Sequence, residues 1–191
     1  MSFVHLHMKW FLALTLLMLL VRPANVLAEN EFVISSASTR LDGSVYFLDA
    51  RFEINLPGYI ASAFEKGFDL PISMEVEVVR HRDYWFNEAV VTIRQQYLLQ
   101  YHAILDSVTL LNVSAGSRRH FSSLKDALSF LTVLENYPLL DNHSLKQDEQ
   151  YHAILQFGID LAELPIPLKS SSWWENDWDL VSEPREWIIN P

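Results

Sequence analysis

The stretch STRLDGSVYFLDARFEI, Ser38 to Ile54, decides the fold. Asp42-Gly43 at its centre supplies the positive backbone angles that a tight hairpin turn needs. Beyond the turn, Tyr46, Leu48, Ala50, Phe52 and Ile54 alternate with Asp49, Arg51 and Glu53. Alternation with period two marks a half-buried strand. The hairpin therefore has one face in a core and one largely in water.

Working outward, the first arm of the hairpin reaches back to Phe32. Downstream, Asn55-Leu56-Pro57 reads as a helix start, with Asn55 capping and Pro57 in the first turn. Ile60, Ala63 and Phe64 share a helical face, and Gly67 stops it. After Pro71, Ile72 to Arg80 alternates again, with Ile72, Met74, Val76 and Val78 on one side. Ala89 to Ile104 reads as one long strand with Ala89, Val91, Ile93, Tyr97, Leu99, Tyr101 and Ala103 inward. Asp106-Ser107 turns into Val108 to Val113, and Gly116 breaks that strand. Ser123 then caps a second helix with an apolar stripe of Leu124, Leu128, Leu131 and Leu134, closed by Pro138. A polar loop from Asp141 to Glu149 leads to a last strand, Gln150 to Leu161. Short strands joined as hairpins predict an α+β fold, mainly an antiparallel β-sheet or sandwich with two short packed helices.

Residues 1–28 are set apart from this pattern. Lys9 lies in a polar start, Trp10 to Val21 is apolar but for Thr15, and Val26-Leu27-Ala28 offers small side chains where a signal peptidase cuts. This reads as a signal peptide cleaved after Ala28, with residues 29–191 forming a single exported domain in the periplasm. The alternative is an uncleaved segment that anchors the domain to the inner membrane. The apolar run is shorter than the roughly 20 residues a bilayer-crossing helix requires. Cleavage removes Lys9 and Arg22 and leaves all 24 acidic residues, which takes the net charge from -10 to -12. Such a charge makes nucleic acid and anionic membrane surfaces poor partners. The chain has no cysteine, so disulfides and a lipid-modified amino-terminal cysteine are excluded.

The sequence QYHAIL occurs at both Gln100 to Leu105 and Gln150 to Leu155. The segments flanking the two copies do not match, so this is two strands meeting the same local need and not a duplicated unit. A sharper reading pairs His102 with His152 at a metal, although no spacing such as HExxH supplies further ligands. His81-Arg82-Asp83 matches a kinase catalytic loop in three letters, without a glycine-rich phosphate loop before it or Asp-Phe-Gly after it. No serine sits in a GxSxG elbow. No catalytic residue and no cofactor follow from the motifs, and an enzyme is the less favoured class. Arg118 and Arg119, within the basic Ser117-Arg118-Arg119-His120 ahead of a helix start, could hold an anion; the plainer reading is a solvated hairpin end. Trp173, Trp174, Trp178 and Trp187 crowd the tail. Core packing is the first reading for these indoles, with a partner contact or a glycan surface at Trp173 and Trp174 as the functional ones.

Taken along the whole mature chain, these pieces resemble the bacterial domain-of-unknown-function family numbered 4390. The resemblance rests on the first hairpin, on LPISMEVEVVRHRDYWFNEAV, on the QYLLQYHAIL strand, on FSSLKDAL and on the Leu164 to Leu168 turn before the tryptophans. The aromatic-acidic corner Tyr84 to Glu88, the Leu164 to Leu168 turn and the tail tryptophans are its most specific parts, and Asn87 stands where an acidic residue is more usual. The resemblance implies a small exported proteobacterial protein with no assigned activity, encoded near a sensor histidine kinase of the membrane. It carries over no site residues. The expectation is a non-enzymatic envelope protein, an interaction or sensing accessory to an envelope or inner-membrane protein; the alternative is a glycan or small-ligand binding protein.

Overall fold

A computed structural model describes residues 32–82, 86–159 and 180–191. The first hairpin joins β1 (Phe32–Asp42) to β2 (Val45–Ile54), with Gly43 at φ 60° in the turn. Next come helix α1 (Gly58–Glu65), β3 (Leu70–Arg80), β4 (Glu88–His102), β5 (Ser107–Asn112) and β6 (Ser117–Phe121). Helix α2 (Leu124–Leu131), β7 (Val133–Asp141), β8 (Tyr151–Ile159) and β9 (Arg185–Ile189) complete the order. Two antiparallel sheets result, one of three strands ordered β1-β2-β7 and one of six ordered β6-β5-β4-β3-β8-β9. The expected α+β architecture is the observed one.

The alternation in the opening stretch sets the inner face of the small sheet: Tyr46, Leu48, Ala50 and Phe52 are all buried. From the large sheet they meet Ile72, Met74, Val76 and Val78 of β3 and Ala153, Leu155, Phe157 and Ile159 of β8, also buried. Three strands cannot cover six. The helices make up the difference, α1 lying against β4 and α2 against β5, β6 and β7. Helix α1 brings Phe64 to Tyr101 with ring centroids 5.9 Å apart, and α2 buries Ala127 and Leu131.

Several expectations are corrected by this arrangement. Asn55 does not cap α1; Pro57 is the N-cap, its carbonyl accepts from the Ile60 and Ala61 amides, and no side chain caps the helix. Ser123 does cap α2, accepting from the Asp126 amide at 3.1 Å while its hydroxyl donates to the Asp126 carboxylate. That helix ends at Leu131, so Leu134 belongs to β7. The unexpected strand contains Pro138, which a strand tolerates because β7 is an edge and the Tyr46/Phe47 register shift falls there. β4 stops at His102, so Ala103 and Ile104 lie in the turn. Gln95, between inward Ile93 and Tyr97, is buried too; it donates to Asn112 Oδ1 at 2.5 Å and accepts from the Tyr137 hydroxyl at 3.2 Å.

Ahead of the start of β9, the segment Leu180–Ser182 runs along β8. Ile159 N donates to Leu180 O and Ser182 N to Phe157 O, both at 2.8 Å. The strand approaches so closely that a side chain on Gly158 would run into Leu180 O and lie 2.5 Å from Val181 Cα. Both obstacles are backbone, which has no rotamer to yield. Gly158→Ala should therefore displace the Leu180–Ser182 segment and destabilise the domain by about 1–3 kcal/mol in urea unfolding. An unchanged midpoint would mean that the close pairing does not form.

Candidate functional site

The residues singled out by sequence do not converge on one place. His102 ends β4 and His152 lies in β8, and β3 runs between those strands. They also sit at opposite ends of it, His152 opposite Val79 and His102 beyond Leu99, the partner of Leu70. Roughly 30 Å of strand separates those positions. His152 is instead 2.7 Å from Glu186 Oε1 and close to the His81 ring. His102 Nε2 lies 2.8 Å from Thr109 Oγ1, whose other side meets His120 Nδ1 at 3.0 Å. The buried threonine hydroxyl has one proton, so it donates to at most one of the two rings. The role of His120 there had no sequence signal, because only strand register aligns it with Thr109. Among the described residues no group of three or more His, Cys, Asp or Glu is placed to hold a metal.

Arg118 and Arg119 lie in an edge strand and not in a loop. Alternation sends them to opposite faces, and the Arg119 guanidinium sits 4.5 Å from the centre of the Phe130 ring. Trp173 and Trp174 lie outside the described residues, as do the signal segment, Tyr84, Trp85 and the Leu164 to Leu168 turn. Trp187, also in the tail, packs against the core and donates to Thr39 Oγ1 at 3.2 Å.

The most exposed apolar feature is one that sequence reading placed partly inside a strand. At the β4–β5 tip, Ile104 is 99% and Leu105 75% exposed. Their presentation is braced: the Leu105 amide donates to His102 O at 3.1 Å, and the Tyr101 hydroxyl donates to Asp106 Oδ1 at 2.9 Å. That bond, and burial after it, push the Tyr101 phenol above its ordinary value and keep it a donor. Asp106 takes φ 45°, a conformation that costs a non-glycine residue energy and persists where surroundings enforce it. Two aliphatic side chains are thus held in water by a built turn.

A second feature is a cleft of about 360 Å³ on the outer face of the small sheet, lined by Ser36, Ser38, Asp49, Arg51, Glu135 and Asn136 among others. It opens where β7 bulges between the partners of Leu48 and Ala50, with Asn136 at φ 56°. The Asp49 carboxylate is already used there, accepting from the Asn136 amide at 2.7 Å and facing Arg40 Nε at 3.3 Å. Its role is to hold the bulge.

The model of a domain of unknown function, DUF4390, matches residues 29–188. The chain belongs to that family. No curated protein and no solved structure matches it. The family match spans the sandwich, the hairpin tip and the β6 edge alike, and it assigns a role to none of them.

An ion-pair network closes the opposite end of β4 from the tip. Arg80 bonds both Glu88 and Glu149, the latter at 2.7 and 2.9 Å, and Arg82 shares Glu88. The hydrogen bond from Arg80 is the largest cause pulling both carboxyls below the usual range. A depressed carboxylate contributes stability above its unfolded pKa of about 4.3, and this is lost as pH falls through the folded value. Arg80→Met should consequently be less stable than the parent near neutral pH. The gap should close on acidification below about pH 4, read as urea midpoints across a pH series. A gap that is constant with pH would assign the loss to packing instead.

Proposed function

We propose that this protein is an exported, non-enzymatic envelope protein that serves as an interaction or sensing accessory to an envelope or inner-membrane protein. The observation that carries the reading is the Ile104-Leu105 tip. Monomeric proteins scatter single exposed apolar residues, but adjacent ones on a braced protrusion are a contact surface in want of a partner. Turn tips without such a role are ordinarily polar. Export rests on the amino-terminal segment, whose basic residue, apolar run and small residues before Glu29 suit signal cleavage and a periplasmic destination. Among the described residues no helix is long and apolar enough to cross a membrane.

A photo-crosslinking residue placed at Ile104 in the native envelope should give a discrete adduct, and one placed at exposed Gln156 on the outer face of β8 should not. Ile104→Ser with Leu105→Ser should abolish partner capture while changing stability by no more than about 0.5 kcal/mol, since these side chains pack against nothing. Capture that survives the double substitution, or the same adduct from Gln156, would overturn the placement. Recovery of a chain that begins at Met1 would overturn cleavage after Ala28.

A further inference from the structure

β6 is the outer strand of the six-stranded sheet and pairs with β5 alone. Its residues Ser117, Arg118, Arg119 and His120 are all exposed. Such an edge carries a row of backbone donors and acceptors that face away from its one neighbour. The other edges are less available or mixed in sign. β1 lies against β8 and β9, β7 contains Pro138, and β9 sets Arg185 beside Glu186. β6 bears cations only.

Those cations belong to an acidic chain of net charge -10, in which Arg51 and Arg185 likewise make no ion pair among the described residues. Arg40, Arg80, Arg82 and Arg94 are each matched to a carboxylate. Arg118 and Arg119 make no ion pair among the described residues, and Lys125 follows them in the first turn of α2. Arg119 is steadied by the Phe130 ring, and His120 is tied to Thr109. The side chains are therefore presented on a fixed strand, one guanidinium to each face.

We infer that β6 is a site for strand addition that takes an extended acidic segment of a partner protein as a seventh strand. Main-chain bonds to the free edge supply the affinity, and the alternate side chains set the specificity. Because Arg118 and Arg119 are consecutive, the segment that fits has consecutive carboxylates, one for each face of the sheet. A second copy of this chain is disfavoured, because antiparallel pairing of β6 with itself sets arginine against arginine. The surface is separate from the Ile104-Leu105 tip, and the inference does not depend on what the tip contacts.

The test uses the isotopically labelled protein and a synthetic peptide in which two adjacent glutamates are flanked by valine and threonine. A control peptide has lysines in their place. The glutamate peptide should shift and protect the amides of Ser117–Phe121, with an affinity that falls as salt rises. Arg118→Glu with Arg119→Glu should weaken it by about tenfold or more and should gain binding of the lysine peptide. Arg118→Glu alone, which leaves the Arg119–Phe130 contact intact, should move both affinities in the same directions by less. That reciprocal switch cannot arise from misfolding. Equal binding of both peptides by the parent, shifts confined to β1, β7 or β9, or a folded double variant without the switch would overturn the inference. So would no binding at all, which would reduce the arginines to guards against edge pairing.

Discussion

The stacking of Phe52 on Phe157 is the contact on which the two sheets depend. The rings lie 4.3 Å apart at 27°, with Phe32 edge-on to Phe157 at 5.8 Å. Each ring comes from a different strand, β2, β8 and β1, so the cluster joins the first hairpin to the far side of the large sheet. Aromatic pairs of this kind contribute about 0.5–1.5 kcal/mol beyond the area they bury. In a chain without cysteine the sandwich has no covalent tie to fall back on. Polar bonds finish the seam at its rim, where Tyr46 donates to the Asn190 carbonyl and Trp187 to Thr39.

How much of this was legible depended on whether a residue's environment is set by its own strand or by another one. The inner face of β2 could be read directly, since Tyr46 to Phe52 alternate and every inward member is buried. The two QYHAIL copies show the limit. Leu155 is fully buried and Leu105 largely exposed, although the six letters around each are the same. The second copy continues into Gln156-Phe157 and stays a strand, whereas the first meets Asp106, whose positive φ turns the chain. Six residues fix a local preference; the residues that follow them decide whether it is realised.

The misreadings share that cause. Leu134 fitted a helical stripe because 3.6-residue spacing continued past the point where pairing with Ala50 of β2 took the chain. Gln95 passed for a break in the inward row, yet its partners Asn112 and Tyr137 lie on β5 and β7, out of reach of any local window. Arg118 and Arg119 show in sequence only as a basic cluster at a solvated hairpin end, since no apolar alternation accompanies them, and none is needed at an edge whose outer side faces water. His102 and His152 were separated by topology, which hydropathy does not encode.

The same geometry sets two of the exposed features on one wing of the large sheet. The middle of the large sheet is bound on both sides, and its helices and small sheet occupy the inner face. Val108 pairs with Phe121, which sets the end of β6 beside the base of the β4–β5 tip. An apolar protrusion and a cationic edge therefore share the wing β4-β5-β6 as two separate surfaces, away from the Phe52–Phe157 seam. A partner engaging there would bury side chains that contribute little to the core, and would not have to compete with the interactions that fold the domain. Separation of that kind leaves the wing free to change without disturbing the aromatic seam.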